Sequence, residues 1–323
     1  MFRPSRPISP PSRRPSSPES LRILAPATSA NLGPGFDTLA LALDLANEVR
    51  VSRRPGPLEV RVTGEGATEL PSDGENLLCE AMRQGLPDLD GLVVECENRI
   101  PLGRGLGSSA AAICAGLVAA NALGGHRWSP DDLLRRAAAL EGHADNAAAC
   151  ILGGIVAVGP GPRAVRIAPP EDLVFVMAVP ATRVSTEASR GALPAEVPLG
   201  DAADTLARAI GLVLALEQGR LEDLPEMLVD RLHEPYRARL VPGLEALRGL
   251  AGTEGHIGAT ISGSGPSVLV WCRREGVGAV AERARAALAA EGVEAEVRIV
   301  RVAPGGVSAR WTGAEGRLAT AIG

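Results

Sequence analysis

The hydrophobic and polar residues in the first half of the chain alternate over short stretches, which glycine, proline and polar residues separate. Alternation is typical of β-strands, whereas apolar residues three and four positions apart are typical of amphipathic helices. The first pattern predicts a strand from residue 21 into a Pro/Gly loop and further strands at residues 49–51, 58–62 and 92–97. The second pattern, with the helix-start signals, predicts helices at residues 76–86, 108–122 and 129–140.

The second half mixes the same two patterns. We predict paired strands at residues 151–158 and 164–167, and later strands at residues 173–179, 258–261, 267–272 and 294–301. Helices are predicted at residues 201–218, 221–227, 243–250 and 277–290. The order of these elements suggests a ferredoxin-like βαββαβ layer. The sequence therefore predicts an α+β protein with an N-terminal α+β domain (residues 21–165) and a C-terminal ferredoxin-like α+β domain (residues 166–310).

The amino-acid composition limits the kind of hydrophobic core and the kinds of binding partner that we expect. Of 323 residues, 46% are hydrophobic but only 2% are aromatic, so the core must be aliphatic and a nucleotide base would lie against aliphatic side chains. The net charge of −5 argues against nucleic-acid binding by the protein body. No uncharged apolar stretch reaches the roughly eighteen residues that span a membrane. We expect a cytoplasmic protein without a membrane or nucleic-acid partner.

The chain ends and the cysteines carry separate predictions. Residues 1–20 are rich in Pro, Ser and Arg and contain four arginines against one glutamate, which predicts a disordered basic tail rather than a signal peptide. Residues 311–323 are predicted to form a C-terminal tail. The five cysteines lack CxxC spacing and are predicted to be reduced core residues: Cys79, Cys96, Cys114, Cys150 and Cys272.

The stretch PLGRGLGSSAAA, residues 101–112, is the most specific chemical signal. Its glycines would let the backbone approach a phosphate closely, and the helix that follows would present unpaired N–H groups and its positive dipole end. The chain contains no lysine, so this is not a Walker A loop. The charge of a phosphate would have to be neutralised by arginine, backbone amides and a metal ion. A tight strand-to-helix turn is the alternative interpretation.

Two other segments concentrate carboxylate and amide groups. SANLGPGFD places Asn31 and Asp37 on either side of a Gly-Pro-Gly bend, where both could enter one cleft or could stabilise the loop through its own backbone. EGHADN places two carboxylates, an imidazole and an amide within six residues. Glu141 and Asp145 could bind magnesium or direct a hydroxyl group, as phosphoryl transfer requires. A solvated loop with a capping aspartate is the alternative.

The second half adds two arginines and a second glycine-serine stretch. Arg190 in STEASRGALP and Arg237 in HEPYRARLVPG offer guanidinium groups that suit a carboxylate or a phosphate, although exposed arginines are usually solvated. ISGSGPS, residues 261–267, lacks the GxSxG spacing of a nucleophile elbow. It predicts either a plain turn or a loop packed on the phosphate site.

Taken in this order, SANLGPGFD, PLGRGLGSSAA, EGHADN, STEASR, EPYR and GATISGSGPS resemble the GHMP kinase superfamily, from about residue 21 to about residue 302. The STxxxR, HEPYR and ISGSGP segments are similar to its branch that acts on L-homoserine. The resemblance implies the two-domain GHMP kinase fold, ATP and Mg²⁺ as cofactors, and a homodimer. It also implies transfer of the γ-phosphoryl group of ATP to the side-chain hydroxyl of L-homoserine, giving O-phospho-L-homoserine for threonine biosynthesis from aspartate.

The resemblance further implies the residues of the site. The nucleotide would be bound by Asn76 near the nucleoside and by Pro101, Leu102, Gly103, Arg104, Gly105, Leu106, Gly107, Ser108, Ser109, Ala110 and Ala111. Magnesium would be held by Ser109 and Glu141. The substrate would be bound by Asn31, Asp37, His143, Asn146, Thr186, Arg190 and Arg237. In this arrangement the two arginines take the carboxylate of homoserine, and Asp37 with Asn31 takes its ammonium group.

The catalytic step and two other functions stay open at this point. In related mevalonate kinases an aspartate at the position of Asp145 pairs with a lysine and is proposed to take the hydroxyl proton, but this chain has no lysine. We expect the catalytic group to consist of Arg190, Asp145 and Asn146, with transition-state charge stabilised by Arg190, the loop amides and magnesium. The alternatives are a superfamily kinase for another small alcohol, such as mevalonate, and a non-catalytic ligand sensor.

Overall fold

Two β-sheets organise the protein in a computed structural model that describes residues 20–312. The predicted basic tail lies outside the described residues except for Ser20, which is the first residue of a strand. The predicted C-terminal tail also lies outside them except for Trp311 and Thr312, which end the last strand. No helix within the described part of the chain is both long and apolar enough to cross a membrane.

The first sheet has seven strands. In chain order they are β1 (Ser20–Ala30), β2 (Leu39–Arg53), β3 (Glu59–Gly64), β4 (Leu92–Asn98), β5 (Ile155–Gly159), β6 (Arg163–Ile167) and β11 (Ser308–Thr312). The main path is β11-β1-β2-β4-β3, and the β5–β6 hairpin pairs with the beginning of β2. The β3–β4 pair is parallel and the other pairs are antiparallel.

Four helices pack on this sheet: α1 (Leu77–Met82), α2 (Ser108–Leu123), α3 (Pro130–Glu141) and α4 (Asp145–Leu152). α2 is apolar around its whole circumference, and residues on all its sides are buried, as Ile113, Leu117 and Val118 show. A helix of that composition is stable only inside a core. Because α2 is buried in the core, it holds the glycine-rich stretch at its N-terminus in a fixed position.

The second sheet confirms the ferredoxin-like prediction. Its strands are β7 (Leu173–Pro180), β8 (His256–Ile261), β9 (Val268–Arg273) and β10 (Ala295–Val300), all antiparallel in the order β10-β7-β9-β8. The helices of this half are α5 (Thr186–Gly191), α6 (Leu199–Gln218), α7 (Leu224–Met227), α8 (Glu234–Arg237), α9 (Leu244–Arg248) and α10 (Val277–Ala290). The chain thus contains the two α+β layers that its sequence predicts.

One hydrophobic core is shared between the two sheets. Phe175 and Met177 on β7 pack in the same buried cluster as Leu21 and Ile23 on β1, whereas Val176 packs on the opposite face of the second sheet. This alternation follows from the two-residue period of a strand. The five cysteines are free and buried, as predicted. The shared core holds the two halves against each other along the cleft described below.

Some predicted boundaries differ from the structure. β6 spans the predicted limit at residues 165/166, and β11 returns to pair with β1 across the limit drawn at residue 310. The division into domains at those residues stays a prediction. The strand predicted at residues 151–158 is wrong in its first part, because Ile151 and Leu152 end α4. Gly153 and Gly154, both at positive φ, then end the helix before β5.

Candidate active site

The glycine-rich loop lies between β4 and α2, and its shape depends on residues without a Cβ. Gly103, Gly105 and Gly107 have φ angles of 64°, 71° and 66°, the left-handed region that L side chains rarely adopt. A Cβ on Gly105 would lie 2.1 Å from the carbonyl oxygen of Ser262, and a Cβ on Gly107 would lie 1.9 Å from Oγ1 of Thr28. The loop backbone is therefore packed directly against two other segments.

The loop also leads into an anion-binding helix end. The first-turn N–H groups of an α-helix have no acceptor within the helix, and α2 has no side-chain cap. Ser108 and Ser109 in that turn line the cleft. Backbone donors and the positive end of a 16-residue helix thus meet where the sequence predicts a phosphate site.

The second glycine-serine stretch supports this loop, as one of its two interpretations predicts. Oγ of Ser262 donates a hydrogen bond to the carbonyl oxygen of Gly105 at 2.8 Å. Nδ2 of Asn31 donates to the carbonyl oxygen of Gly263 at 2.7 Å. The turn between β8 and β9 therefore touches both the phosphate loop and the loop that carries Asn31.

Arg104 holds the two halves together instead of offering its charge to the cleft. Its Nε and Nη2 donate to the carbonyl oxygens of Pro180 and Ala181, both at 2.6 Å, and Nη1 donates to that of Leu102 at 3.3 Å. The guanidinium is thus occupied by main-chain acceptors at the end of β7. The backbone N–H of Arg104 and the two guanidinium N–H groups outside these contacts are left for a phosphate on this loop.

Ser109 and Glu141 form a pair at one side of the loop. Oγ of Ser109 donates to Oε1 of Glu141 at 2.6 Å, and burial raises the pKa of the Glu141 carboxyl. Oε2 of Glu141 is buried and has no hydrogen-bond partner in the structure. Hard divalent cations take oxygen ligands of this kind. Among residues 20–312 no group of three or more His, Cys, Asp or Glu side chains could hold a metal, so a cation here needs ligands from elsewhere as well.

The EGHADN segment forms the end of α3, the turn after it and the start of α4, not a solvated loop. Asp145 is buried, and its Oδ1 accepts a hydrogen bond from the backbone N–H of Asn146 at 2.8 Å. The same oxygen lies 3.1 Å from Nδ1 of His143, and this contact raises the pKa of His143. Oδ1 of Asn146 accepts from Oγ1 of Thr28 at 2.7 Å. These side chains line the cleft beside the glycine loop, apart from Thr28.

Asn31, Asp37 and Arg190 form a charged cluster on another part of the wall of the same cleft. Asn31 and Asp37 have positive φ angles of 72° and 53°, which Asn and Asp tolerate better than most residues. Oδ1 of Asn31 accepts from the backbone N–H of Asp37 at 3.0 Å. Arg190 on α5 donates to both carboxylate oxygens of Asp37, at 3.1 and 3.2 Å. An anionic and a cationic group therefore lie side by side in the cleft.

Arg237, at the end of α8, is the most buried charge at this wall, with 2% of its surface exposed. Its Nε donates to the carbonyl oxygen of Ser189 and its Nη1 to Nδ1 of His233, both at 3.3 Å. No described residue accepts a hydrogen bond from Nη2. Burial lowers the pKa of Arg237. Because Arg237 lines the cleft, its remaining donors are available to an anion there.

These groups line one cleft of about 470 Å³. Of the residues that the sequence singles out, the structure leaves only Ala110 off the cleft wall, because it is buried inside α2. Thr186, the first residue of α5, lies on the wall. Asn76 does too, but its side chain caps α1, accepting from the N–H of Leu78 and donating to the carbonyl oxygen of Pro71.

Aliphatic side chains line part of the cleft: Leu77, the neighbour of Asn76 in the chain, and Leu70, Pro71 and Leu102. No Phe, Tyr or Trp of the described residues lines this cleft. A nucleotide base would lie against such side chains, as the low aromatic content predicts. Sequence reasoning missed the supporting contacts of Thr28 and His233, because each contact joins residues far apart in the chain: Thr28 contacts Asn146, and His233 contacts Gly33.

Comparison with known proteins places this geometry in a family. A family model for the GHMP kinases N terminal domain matches residues 76–154, and one for GHMP kinases C terminal matches residues 212–290. A homoserine kinase of Streptomyces avermitilis is 43% identical over 295 residues, covering 88% of this chain and 96% of that protein. The chain belongs to the homoserine kinase family of the GHMP kinases.

Other members agree with this assignment. A homoserine kinase of Moorella thermoacetica is 43% identical over 259 residues, covering 78% of this chain and 87% of that protein. A crystal structure of homoserine kinase from Cytophaga hutchinsonii superposes with a TM-score of 0.82 at 29% identity, covering 94% of this chain and all of the other. The homoserine kinase family thus accounts for both halves of the chain and for the cleft between them.

Proposed function

We propose that this protein transfers the γ-phosphoryl group of ATP to the side-chain hydroxyl of L-homoserine, giving ADP and O-phospho-L-homoserine for threonine biosynthesis. The observation that carries the proposal is a single cleft with a glycine loop at a helix N-terminus on one wall and the Asp37–Arg190 pair on the other. Phosphates fit the first wall, and a small zwitterion fits the second.

The nucleotide lies along the glycine loop in this proposal. Its base lies against the aliphatic side chains of the cleft, with Asn76 near the nucleoside, and its triphosphate accepts hydrogen bonds from the loop and the first turn of α2. Ser109 and Glu141 would hold Mg²⁺, because their hydroxyl and carboxylate oxygens are adjacent and one buried oxygen of Glu141 has no partner. When bound there, the ion supplies charge neutralisation to the phosphates.

In this proposal homoserine binds at the Asp37–Arg190 pair, because its ammonium and carboxylate groups are opposite in charge to these two side chains. Its carboxylate takes Arg190 together with the free donors of Arg237, and its ammonium group takes Asp37 with Asn31 close by. Both members of the Asp37–Arg190 pair are more than a third exposed, so the substrate exchanges a weak, solvated ion pair for two charge-assisted contacts. Thr186 and His143 complete the wall around the substrate.

In the transfer step the hydroxyl oxygen of homoserine bonds to the γ-phosphorus and the bond from that phosphorus to the β,γ-bridging oxygen breaks. Asn146 orients the hydroxyl. We do not assign Asp145 as the base, because that role is proposed for an aspartate paired with a lysine in related mevalonate kinases, and this chain has no lysine. The hydroxyl proton therefore leaves late, to the transferred phosphoryl group, while Arg190 and the loop amides stabilise the developing charge.

Two variants test this assignment of roles. Asp145→Asn is expected to keep most of the turnover, whereas Arg190→Ala is expected to lose most of it. The opposite result, with Asp145→Asn inactive and Arg190→Ala active, would make Asp145 the base. Steady-state release of ADP at saturating ATP measures both, and thermal unfolding of each variant controls for loss of fold.

The function itself is tested by a substrate panel. ADP release with Mg²⁺ and ATP is measured against L-homoserine, L-serine, mevalonate and shikimate, and we expect turnover with L-homoserine to stand far above the rest. Turnover with mevalonate would indicate a small-alcohol kinase without the zwitterion site. ATP binding without turnover of any alcohol would indicate a ligand sensor. A cytoplasmic homodimer belongs to the same proposal, on the strength of the family resemblance, and size-exclusion chromatography with light scattering tests the dimer.

A further inference from the structure

His233 lies between the two loops that carry the charged wall of the cleft. Its Nε2 contacts the carbonyl oxygen of Gly33 at 2.8 Å, in the loop that holds Asn31 and Asp37. Its Nδ1 lies 3.3 Å from Nη1 of Arg237, one turn further along the chain. The side chain is completely buried. One imidazole therefore bridges the residues predicted for the ammonium group and a residue predicted for the carboxylate.

Only one protonation state of His233 satisfies both contacts. A guanidinium can only donate, so Nδ1 must be the acceptor, and the carbonyl oxygen of Gly33 can only accept, so Nε2 must carry the hydrogen. Burial lowers the pKa of His233, which favours this neutral ring. The carboxylate of Asp230 accepts the backbone N–H groups of His233 and Glu234, both at 2.8 Å, and so fixes the backbone that carries the ring.

An aromatic stack supports the same arrangement. The ring of Phe36 lies 5.2 Å from that of His233 and nearly parallel to it, and the Arg237 guanidinium lies 5.3 Å from the Phe36 ring centre. Phe36 is the neighbour of Asp37 in the chain. Movement of the imidazole would therefore shift Arg237 and the Asp37 loop relative to each other.

We propose that His233 is a positioning residue that sets the distance between Arg237 and the Asn31–Asp37 loop, and thereby selects a substrate that carries both a carboxylate and an ammonium group. This inference rests on the proposed function and names a residue that acts through Arg237 rather than on the substrate. Without the two hydrogen bonds of the His233 ring, the charged side chains remain in the cleft but the spacing between them changes. We expect a smaller effect on the phosphate loop, because the His233 ring makes both of its hydrogen bonds to other segments.

Three variants separate the two hydrogen bonds of the ring. His233→Asn keeps an acceptor near the position of Nδ1, His233→Gln keeps a donor near the position of Nε2, and His233→Leu keeps neither. His256→Leu is the control, because His256 is a partly buried histidine whose pKa burial also lowers, and it does not line the cleft. Comparison of the Asn and Gln variants keeps the test informative even where the Leu variant does not fold.

The readouts are the KM values for L-homoserine and ATP and the inhibition constants of two analogues. L-2-aminobutyrate keeps both charged groups, whereas 3-amino-1-propanol lacks the carboxylate. We expect His233→Leu and His233→Gln to raise the homoserine KM and the inhibition constant of L-2-aminobutyrate about tenfold, with ATP and 3-amino-1-propanol unchanged. We expect His233→Asn to show a similar loss, because it keeps the acceptor for Arg237 but not the donor to the carbonyl oxygen of Gly33.

Two results would overturn the inference. One is an unchanged ratio of the two inhibition constants in the Leu and Gln variants. The other is an equal loss for homoserine and ATP in all three variants, which would make His233 a general packing residue. If the unaltered protein neither phosphorylates homoserine nor is inhibited by L-2-aminobutyrate, the proposed function fails, and that outcome is distinct from a failure of the role of His233.

Discussion

The two walls of the cleft recognise charge in different ways. The phosphate wall is built from backbone: three glycines at positive φ and the first turn of α2, packed so closely that a Cβ on Gly105 or Gly107 would meet other atoms at about 2 Å. The zwitterion wall is built from side chains of distant segments, Asp37, Arg190 and Arg237, which hydrogen bonds and ion pairs hold in place. The first wall is sensitive to shape and the second to charge.

This difference suits the two ligands. A nucleotide triphosphate is large and highly charged, so a fixed backbone surface can hold it with many similar donors. A small amino acid offers one ammonium group and one carboxylate, so its recognition depends on the spacing of a few side chains. Substitutions should therefore affect the two walls differently. Added side-chain volume should impair the function of the first wall, and removal of a charge should impair that of the second.

Gly105→Ala is expected to have the largest effect. The new Cβ meets the carbonyl oxygen of Ser262 at a φ angle of 71°, so the loop must move away from the turn that supports it. A displacement of about 1 Å costs roughly 100-fold or more in rate, and we expect at least that loss in kcat/KM for ATP.

Gly125→Ala is the matched control for this change. Gly125 also has a positive φ angle, 65°, but nothing lies within 4 Å of its added Cβ. This variant should lose about 1 kcal/mol of stability to backbone strain and keep its KM for ATP. Equal kinetic losses in both variants would show that strain, not the contact with Ser262, governs the loop.

Arg190→Gln should damage the other wall. Removal of one charge-assisted partner costs about 2 kcal/mol, so we expect kcat/KM for homoserine to fall roughly 30-fold while the dissociation constant of ATP stays within about twofold. Calorimetric titration with a non-hydrolysable ATP analogue checks the second part. Arg61→Gln, which breaks a similarly exposed pair with Glu95, should change neither value.

Glu141→Gln should weaken the binding of Mg²⁺. A ligand with one carboxylate oxygen fewer binds divalent cations less tightly, and we expect the Mg²⁺ concentration for half-maximal activity to rise about tenfold. Glu75→Gln is the control, because Glu75 is an exposed carboxylate on the same cleft. An unchanged Mg²⁺ requirement in Glu141→Gln would remove Glu141 from the cation site.

Glu234 lies on neither wall, and its substitution should affect stability alone. Its carboxylate is buried, accepts from the backbone N–H of Ile261 at 2.6 Å and pairs with Arg248 at 2.5 Å, and burial raises its pKa to about 7. The folded protein therefore binds more protons here than the unfolded chain between about pH 4.5 and pH 7, and stability must fall as pH rises through that range.

Glu234→Gln cannot titrate and should lack this fall. Thermal unfolding between pH 4.5 and pH 7.5 is expected to show the variant gaining on the unaltered protein as pH rises, by up to about 3 kcal/mol. A constant difference between the two proteins across that range would mean that the carboxyl is ionised throughout.

The sequence predicted the first wall better than the second, and the structure explains why. PLGRGLGSS is continuous, and glycine at a strand-to-helix turn has few physical explanations, so composition and order are enough. The ferredoxin-like order also follows from strand and helix periodicity. The Asp37–Arg190 pair joins residues 153 positions apart, and only the family resemblance linked them before the structure did.

The local sequence pattern did not predict some other features of the structure. Ile151 and Leu152 form the end of α4, whereas the sequence predicts a strand there, because short apolar runs fit either element. The role of Arg104 between the halves and the bridge through His233 depend on contacts across the chain, which no local spacing encodes. Pairing of β11 with β1 has the same cause.

The pairing of β11 with β1 affects the order in which the strands of the sheet can assemble during translation. β1 is the first described strand to be synthesised and β11 the last, and Ser20 lies opposite Thr312. Domains usually fold as they emerge, N-terminal parts first. Here β1 keeps an unpaired edge until residues 308–312 have been made, and such an edge is open to pairing with other chains. The sheet behind the glycine loop is therefore completed only when almost the whole chain has left the ribosome.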